Sequence, residues 1–340
     1  MYFQNELRLV IAISTFLYYT QQVCSLTCVE INDAGKGAKF SPDDLQTLSR
    51  LSPSEIEPCL VLLGIEILDY NQASSAWRAL TKVYGSASDI PEEKLRLLGW
   101  VISGIPPVDF QNISLTDVDT IAAFGQFRNL SAQQLAALRD NIFSFWSTKS
   151  EEDLTSFDLM NLRQVVCALN ASAISNIHPQ SYRDAAHELA TVRNCPQDII
   201  TALANLAVNE AAFGNPMTWN SNKVSAVGCV IAGLPDVKMI PAEAMQGITP
   251  DIVYCLPQKT TQEMTPDQLE EFSAESAKAM SSSSAPRAER LTQTHDIFKQ
   301  FPGKSQNNTN NSSASSFFNS RVHNTLMFAA SHLIFKINTN

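Results

Sequence analysis

One kind of helix start recurs along the chain and constrains its fold more than any other feature. Ser or Thr stands directly before proline at Ser41, Ser52, Thr249 and Thr265. The hydroxyl can cap free backbone N–H groups, and proline is tolerated at the first helical position because no donor is needed there. Glu55 and Gln268 complete the spacing of a capping box. Such closely spaced starts predict an all-α protein of short helices, about 10–14 residues each.

The apolar residues between these starts repeat with a helical period. Leu135, Leu138 and Ile142 fall on one helix face. Strict alternation of apolar and polar residues over strand lengths is hard to find. The chain also has only 12 glycines in 340 residues, too few for a large sandwich of strands joined by many tight turns. Both observations favour helices over strands.

A longer period joins three segments of the chain. Residues 98–113 align with residues 227–240, and residues 162–177 form a degenerate third copy midway between them, at offsets of 64 and 65 residues. A regular offset with shared apolar positions is typical of stacked helical units, none of which buries its apolar face alone. The sequence therefore predicts a superhelical array of short helices, an α-solenoid of the armadillo or HEAT kind. The alternative is an irregular helical domain with chance similarity.

The N-terminus has the layout of a secretory signal peptide. Residues 9–18 form a short apolar run preceded by Arg8, and Val23 and Ser25 place small residues before a cleavage site after Ser25. The run is shorter than the roughly 20 apolar residues that span a bilayer. Residues 1–25 are therefore predicted to be a signal peptide, the alternative being a buried N-terminal helix.

Cysteine usage agrees with export. Cys24 would leave with the signal, and the six that remain are Cys28, Cys59, Cys167, Cys195, Cys229 and Cys255. An even number in a secreted chain indicates disulfides, although six cysteines allow 15 connectivities. Because the units of a solenoid mainly contact their neighbours, we predict the sequential pairs 28–59, 167–195 and 229–255. No CxxC or Cys/His cluster is present, so a zinc site is disfavoured.

Six sequons fit the same compartment. Their candidate N-glycosylated residues are Asn112, Asn129 and Asn170 in the body, and Asn307, Asn310 and Asn311 in the tail. Beside a signal peptide, such triplets become plausible glycan sites.

The C-terminal part of the chain changes in composition. Residues 272–316 are rich in Ser and Asn and are predicted to be a disordered stalk. Residues 317–340 include an apolar run at 326–335, and small residues at Ser312 and after it match the layout of a GPI-attachment signal. Ser312 is the candidate attachment residue. The alternative is a disordered secreted tail, and His332 and the polar ending fit the anchor poorly.

The residues expected of an enzyme or a nucleotide-binding protein are missing. The net charge of −10 disfavours nucleic-acid binding. No GxSxG, P-loop or dinucleotide fingerprint is present, and His187-Glu188 lacks the second histidine of a zinc-protease helix. Acidic residues concentrate in predicted first turns, where the helix dipole explains them. The chain is therefore predicted to have no catalytic centre, no cofactor and no metal. We interpret Trp100 and Trp219 as core anchors rather than sugar platforms.

The segment beginning Trp219-Asn220-Ser221 and continuing through residues 227–235, with Ile240-Pro241 and the Thr249-Pro250 start, resembles the mesothelin, stereocilin and otoancorin family. The resemblance covers roughly residues 90–270, and the residues that carry it are mostly helix punctuation. It implies an extracellular superhelix of short helices, commonly GPI-anchored, that acts in attachment of cells to matrix or to other cells. Residues 26–271 are accordingly assigned as one mesothelin-like helical-repeat domain.

Two functions remain open at this point. The first is a cell-surface adhesion protein that binds an extracellular protein or glycan of unknown identity. The second is a soluble secreted protein, lectin-like or lipid-binding, that uses the concave surface of the solenoid.

Overall fold

A computed structural model describes residues 26–35, 39–147 and 149–283. The first group of α-helices comprises α1 (Cys28–Ala34), α2 (Pro42–Thr47), α3 (Pro53–Ile65), α4 (Tyr70–Tyr84), α5 (Glu92–Leu95), α6 (Pro107–Phe110), α7 (Val118–Gly125), α8 (Ala132–Phe145) and α9 (Ser156–Leu162). The second group comprises α10 (Ala171–Ile174), α11 (Pro179–Leu189), α12 (Gln197–Ala207), α13 (Ser221–Val227), α14 (Pro250–Cys255), α15 (Gln258–Glu263), α16 (Pro266–Glu270) and α17 (Ala274–Ser283).

Short 3-10 helices lie between them, at Leu48–Arg50, Ala87–Asp89, Gly99–Gly104, Glu151–Asp153, Arg163–Ala168, Pro216–Thr218, Gly228–Gly233, Val237–Met239 and Ala242–Gly247. Within the described ranges there is no strand, so the all-α prediction is confirmed there. None of the helices in those ranges is long and apolar enough to cross a membrane.

The predicted helix starts form as capped N-termini. At Ser41 the hydroxyl accepts from the Asp44 N–H at 3.1 Å, and the Asp44 carboxylate accepts from the Ser41 N–H at 3.0 Å. Thr265 and Gln268 form the same reciprocal pair. Each box pairs two backbone or side-chain groups that a helix end would otherwise leave open. Local sequence chemistry therefore decides where these helices begin.

Most helices are shorter than the expected length. Among the described helices, α3, α4, α8, α11, α12 and α17 have ten or more residues, while the others have four to eight. Glycine, proline and 3-10 turns interrupt the periodic segments before a third turn can form. The length prediction was therefore too long for most of the chain.

The three copies of the sequence repeat adopt one local structure. A six-residue 3-10 helix begins at Gly99, at Arg163 and at Gly228, which preserves the offsets of 64 and 65 residues. The first residue of each has a positive φ, at 46°, 46° and 57°. The segments pack on equivalent helices, α4, α8 and α12 respectively. We call these segments, together with the helices α3–α5, α7–α9 and α11–α13 that precede them, the first, middle and third copies.

A buried side-chain amide connects the middle copy to the first, and a second one lies beyond the third copy. Gln134, the N3 residue of α8, accepts from the Ser131 N–H and donates from Nε2 to the carbonyls of Ser103 and Ile105, at 3.0 and 2.8 Å. Gln268 in α16 does the same toward Val237 and Ile240. An ionised glutamate at N3 could only accept hydrogen bonds. A glutamine accepts one with its oxygen to cap its own helix, and its nitrogen donates to carbonyls of the preceding part of the chain.

The structure differs from the expectation over the first part of the predicted stalk at 272–316. Helix α17 packs on α14, with Ala279 only 3% exposed. Ser276 is fully buried, and its hydroxyl donates to the carbonyl of Ile248 at 2.7 Å. These contacts order residues that composition alone assigned to the stalk. The remaining stalk residues, 284–316, lie outside the described residues, as do the predicted signal peptide at 1–25 and the predicted anchor segment at 317–340.

Candidate functional site

Three disulfides join each buried cysteine to a half-buried one from a neighbouring element. They are Cys28–Cys59, Cys167–Cys195 and Cys229–Cys255, with Cα atoms 4.8, 4.7 and 5.7 Å apart. This is the sequential pairing. Cys59 lies in α3, and Cys167 and Cys229 lie in the 3-10 helices of the middle and third copies. Each bridge closes a loop of 26 to 31 residues and therefore acts within one unit or between adjacent units.

The three sequons of the body are exposed and lie in turns or at a helix start. Asn112 donates from Nδ2 to the carbonyl of Val108 at 2.8 Å. Asn170 is the N-cap of α10, where its Oδ1 accepts from the N–H and the hydroxyl of Ser172, at 2.9 and 2.8 Å. The tail residues Asn307, Asn310, Asn311 and Ser312 lie outside the described residues. Glycosylation of the body sequons stays a prediction, with accessible side chains at all three.

Two of the acidic residues at the helix starts, Asp44 and Glu55, take part in capping boxes. Asp43, Asp44, Glu55, Asp251 and Asp267 all lie in first turns. Hydrogen bonds from the Ser41 hydroxyl and the Ser41 N–H lower the pKa of Asp44, and the corresponding groups of Ser52 lower the pKa of Glu55. A carboxyl group held ionised in this way is a poor general acid.

Other sequence candidates are placed by packing. Trp219 is 3% exposed and donates from Nε1 to the carbonyl of Gly214 at 3.0 Å, which makes it a core anchor. Trp100 is half-buried and packs edge-on against Phe127, with ring centroids 5.7 Å apart. Among the residues that the structure describes, no three His, Cys, Asp or Glu side chains are grouped to hold a metal ion.

The sequence analysis missed an exposed apolar surface at the corner between α3 and α4. Val61, Ile65, Ile67 and Tyr70 are 41, 52, 48 and 60% exposed. Val61 and Ile65 are four residues apart and therefore lie on one helix face. We call these four residues the aliphatic patch. In the sequence their spacing is the same as that of core residues, so the exposure of their side chains in the structure was needed to recognise them.

Backbone crossings fix which residues correspond between copies. Gly64 at the end of α3 lies against Gly99, Gly125 against the chain just before Arg163, and Ala190 against Gly228. Val61 lies three residues before the crossing residue Gly64, and Ile65 lies one residue after it. The residues at the same distances from Gly125 in the middle copy are Ala122 and Gln126. In the third copy Val61 and Ile65 correspond to His187 and Thr191. The same outward positions are therefore aliphatic in the first copy and carry polar side chains in the third.

Across the residues that the structure describes, these features define an all-α, disulfide-bonded body with a repeated helical unit. Comparison with curated proteins finds otoancorin from Homo sapiens, 24% identical over 56% of this chain, and otoancorin from Mus musculus, 23% identical over 59%. Stereocilin from Mus musculus is 25% identical over 62% of the chain. The matched region spans 16, 18 and 12% of the length of those relatives. No family model matches the chain.

Otoancorin and stereocilin are members of the family that the sequence analysis identified as similar. The predicted resemblance to the mesothelin, stereocilin and otoancorin family is therefore confirmed. The similarity extends over more than half of the chain, the scale of several of its helical units.

Proposed function

We propose that this chain is an extracellular attachment protein that joins a cell surface to matrix or to another cell. The observation that carries the proposal is the similarity to otoancorin and stereocilin across a body closed by three local disulfides. Disulfides persist in oxidising compartments, so they support a secreted or cell-surface location. The attachment role comes from what the resemblance implies.

The three copies support a solenoid as the form of this body. In each copy the first two α-helices contact the 3-10 helix, and the buried amide of Gln134 joins the middle copy to the first. Stacked units of this kind present extended surfaces that suit binding of large partners. The partner is an extracellular protein or glycan.

Binding, rather than catalysis, is the proposed activity. Capping hydrogen bonds lower the pKa of the Asp44 and Glu55 carboxyl groups and keep them ionised. Activity-based probes for serine and cysteine nucleophiles should leave the purified protein unlabelled. Stoichiometric labelling at one residue, abolished by its substitution, would restore an enzymatic role.

Expression of the full chain in mammalian cells tests the attachment role. Cells that display the chain should adhere more strongly than vector controls to a cell monolayer or to a laminin- and collagen-coated surface under flow. Surface display with unchanged adhesion would contradict the proposal.

Phospholipase C specific for phosphatidylinositol tests the anchor in the same cells. Release of the chain by the enzyme would support GPI attachment. Substitution of Ser312, Ser313 and Ala314 by leucine should then divert the chain from the cell surface. Protein free in the medium with its tail intact would instead support the soluble secreted alternative.

A further inference from the structure

The aliphatic patch is not required by the repeated architecture. Val61 and Ile65 occupy positions where the third copy carries His187 and Thr191, although the crossing behind them is built in the same way. A face that the fold allows to be polar gains nothing in folding from exposed aliphatic side chains. Exposed apolar groups that cluster in this way mark binding surfaces.

The surroundings of the patch are acidic. Between Leu51 and Trp77 the chain carries Glu55, Glu57, Glu66 and Asp69 and no Lys or Arg. Lys94 from α5 contacts Glu57, which lies one helical turn before Val61. A second copy of this chain would bring the same acidic groups together, and an anionic bilayer would be repelled by them. The charge around the patch therefore favours a basic partner.

We propose that the aliphatic patch docks a protein segment that presents aliphatic side chains on one face and Lys or Arg along its edges. This proposal rests on the attachment function and specifies where, and by what chemistry, the partner binds. Val61, Ile65 and Ile67 supply the apolar centre, and Tyr70 adds an amphipathic ring beside Asp69. Interfaces of this kind combine a desolvated apolar centre with a charged rim that steers association.

A defined peptide tests the docking chemistry on the full secreted chain. The probe is a fluorescent 18-residue helix-forming peptide with leucine on one face and lysine on the other. Its counterpart has glutamate in place of every lysine. Fluorescence anisotropy should show binding of the lysine peptide, and binding at least about tenfold weaker for the glutamate peptide.

Two matched double variants separate the patch from general charge attraction. Val61→Ser with Ile65→Ser should weaken binding of the lysine peptide at least about tenfold. His187→Ser with Thr191→Ser changes the corresponding positions of the third copy and should leave the affinity within about twofold. Far-UV circular dichroism and intact disulfides establish that both variants are folded. Equal affinities for the two double variants would overturn the proposal.

Other occupants give distinct results. Self-association in sedimentation velocity that Val61→Ser with Ile65→Ser abolishes would assign the patch to a second copy and overturn the proposal. Cosedimentation with neutral phosphatidylcholine vesicles that the same variant abolishes would assign it to lipid, with the same consequence. If cells displaying this variant adhere as well as wild type, the docking proposal fails while the attachment function stands. Loss of that adhesion, with surface display retained, supports both.

Discussion

The middle copy and the two outer copies differ in which chain segment supplies the glycine at the backbone crossing. In the first copy both residues at the crossing, Gly64 and Gly99, lack a side chain. In the third copy Ala190 keeps its Cβ and Gly228 has none. In the middle copy Arg163 keeps its Cβ at a φ of 46°, and Gly125 is the residue without one.

The difference shows what the fold requires at this point. A Cβ added at Gly125 would lie 2.7 Å from the carbonyl oxygens of Asn161 and Leu162, and one added at Gly228 would collide with the backbone of Ala190. Every crossing therefore needs at least one glycine, but either of the two chain segments that cross can supply it. In the outer copies the glycine at the first position of the 3-10 helix also avoids backbone strain, because L residues are strained at positive φ.

Substitution at an outer crossing should have the largest effect. Gly228→Ala adds a Cβ against the Ala190 backbone and forces alanine to a φ of 57°. We expect a loss of about 3–5 kcal/mol in the free energy of unfolding. Urea denaturation followed by circular dichroism measures it. Gly35→Ala is the control, since its added Cβ meets nothing within 4 Å at a φ of 72°. A loss at Gly228 no larger than that at Gly35 would contradict a tight crossing.

Removal of the third-copy disulfide should rank next. Replacing Cys229 and Cys255 together by alanine opens a loop of separation 26, and we expect a loss of about 3 kcal/mol on the chain-entropy model. Thermal denaturation of the variant against wild type measures the effect. The first copy has Trp100 where the third has Cys229, so this bridge distinguishes the two outer copies. An unchanged melting temperature would exclude the bridge as a structural element.

The stabilisation from the hydrogen bonds of Gln134 to the first copy should depend on the side-chain nitrogen that donates them. Gln134→Glu keeps an acceptor for the Ser131 N–H but removes the donor to Ser103 and Ile105. Two carbonyls then lose a hydrogen-bond donor beside a buried charge, and we expect a cost of about 2–3 kcal/mol at neutral pH. Ser131→Ala, which removes only the cap, should cost about 1 kcal/mol. If the two variants cost the same, the contact with the first copy is unimportant.

Acid should weaken the start of α9 in the middle copy. The N3 residue there is Asp158, where the corresponding helices carry Lys94 and Lys223. Burial raises the pKa of Asp158, but hydrogen bonds from Lys149 and Thr155 outweigh it, so its pKa in the folded protein is lowered. The stabilisation is therefore present above the unfolded pKa of about 3.9 and is lost as the pH falls below it.

Hydrogen exchange between pH 5 and pH 3 tests this prediction. The amides of α9 should lose protection before those of α13, after correction for intrinsic exchange rates. In Asp158→Asn the extra pH dependence should vanish. Equal losses in α9 and α13 would contradict the assignment of the titration to Asp158.

The strained residue of the middle copy should give the smallest change, in the opposite direction. Arg163→Gly relieves the positive φ but gives up the ion pair with Glu188 at 2.9 Å and adds freedom to the unfolded chain. We expect a net gain of about 0.5 kcal/mol. Arg163→Ala, which loses the ion pair and keeps the strain, should be less stable than wild type. The urea midpoint should therefore rise from Arg163→Ala to wild type to Arg163→Gly. The reverse order would show that backbone strain at residue 163 does not limit stability.

Local chemistry made part of this structure predictable. The Ser41 and Thr265 caps and the offsets of 64 and 65 residues each depend on a few neighbouring residues, and the structure has all of them. Helix lengths were less predictable because the 3-10 segments depend on backbone crossings between distant residues. Residues 272–283 were misassigned for the same reason: Ser276 is ordered by a carbonyl 28 residues away.

The aliphatic patch could not be recognised from the sequence. Val61 and Ile65 have the spacing of core residues, and only the packing of α3 shows that they face outward. Their significance came from comparison with His187 and Thr191, which required the crossings to establish which positions correspond.

Disulfide mapping of the protein secreted by eukaryotic cells tests the central claim most directly, because it examines export and the local closure of the units together. Peptide mass spectrometry without reduction should find Cys28 joined to Cys59, Cys167 to Cys195 and Cys229 to Cys255, with the chain beginning after Ser25. A bridge between Cys59 and Cys167, or a free Cys229, would contradict units that are closed within themselves or against their neighbours.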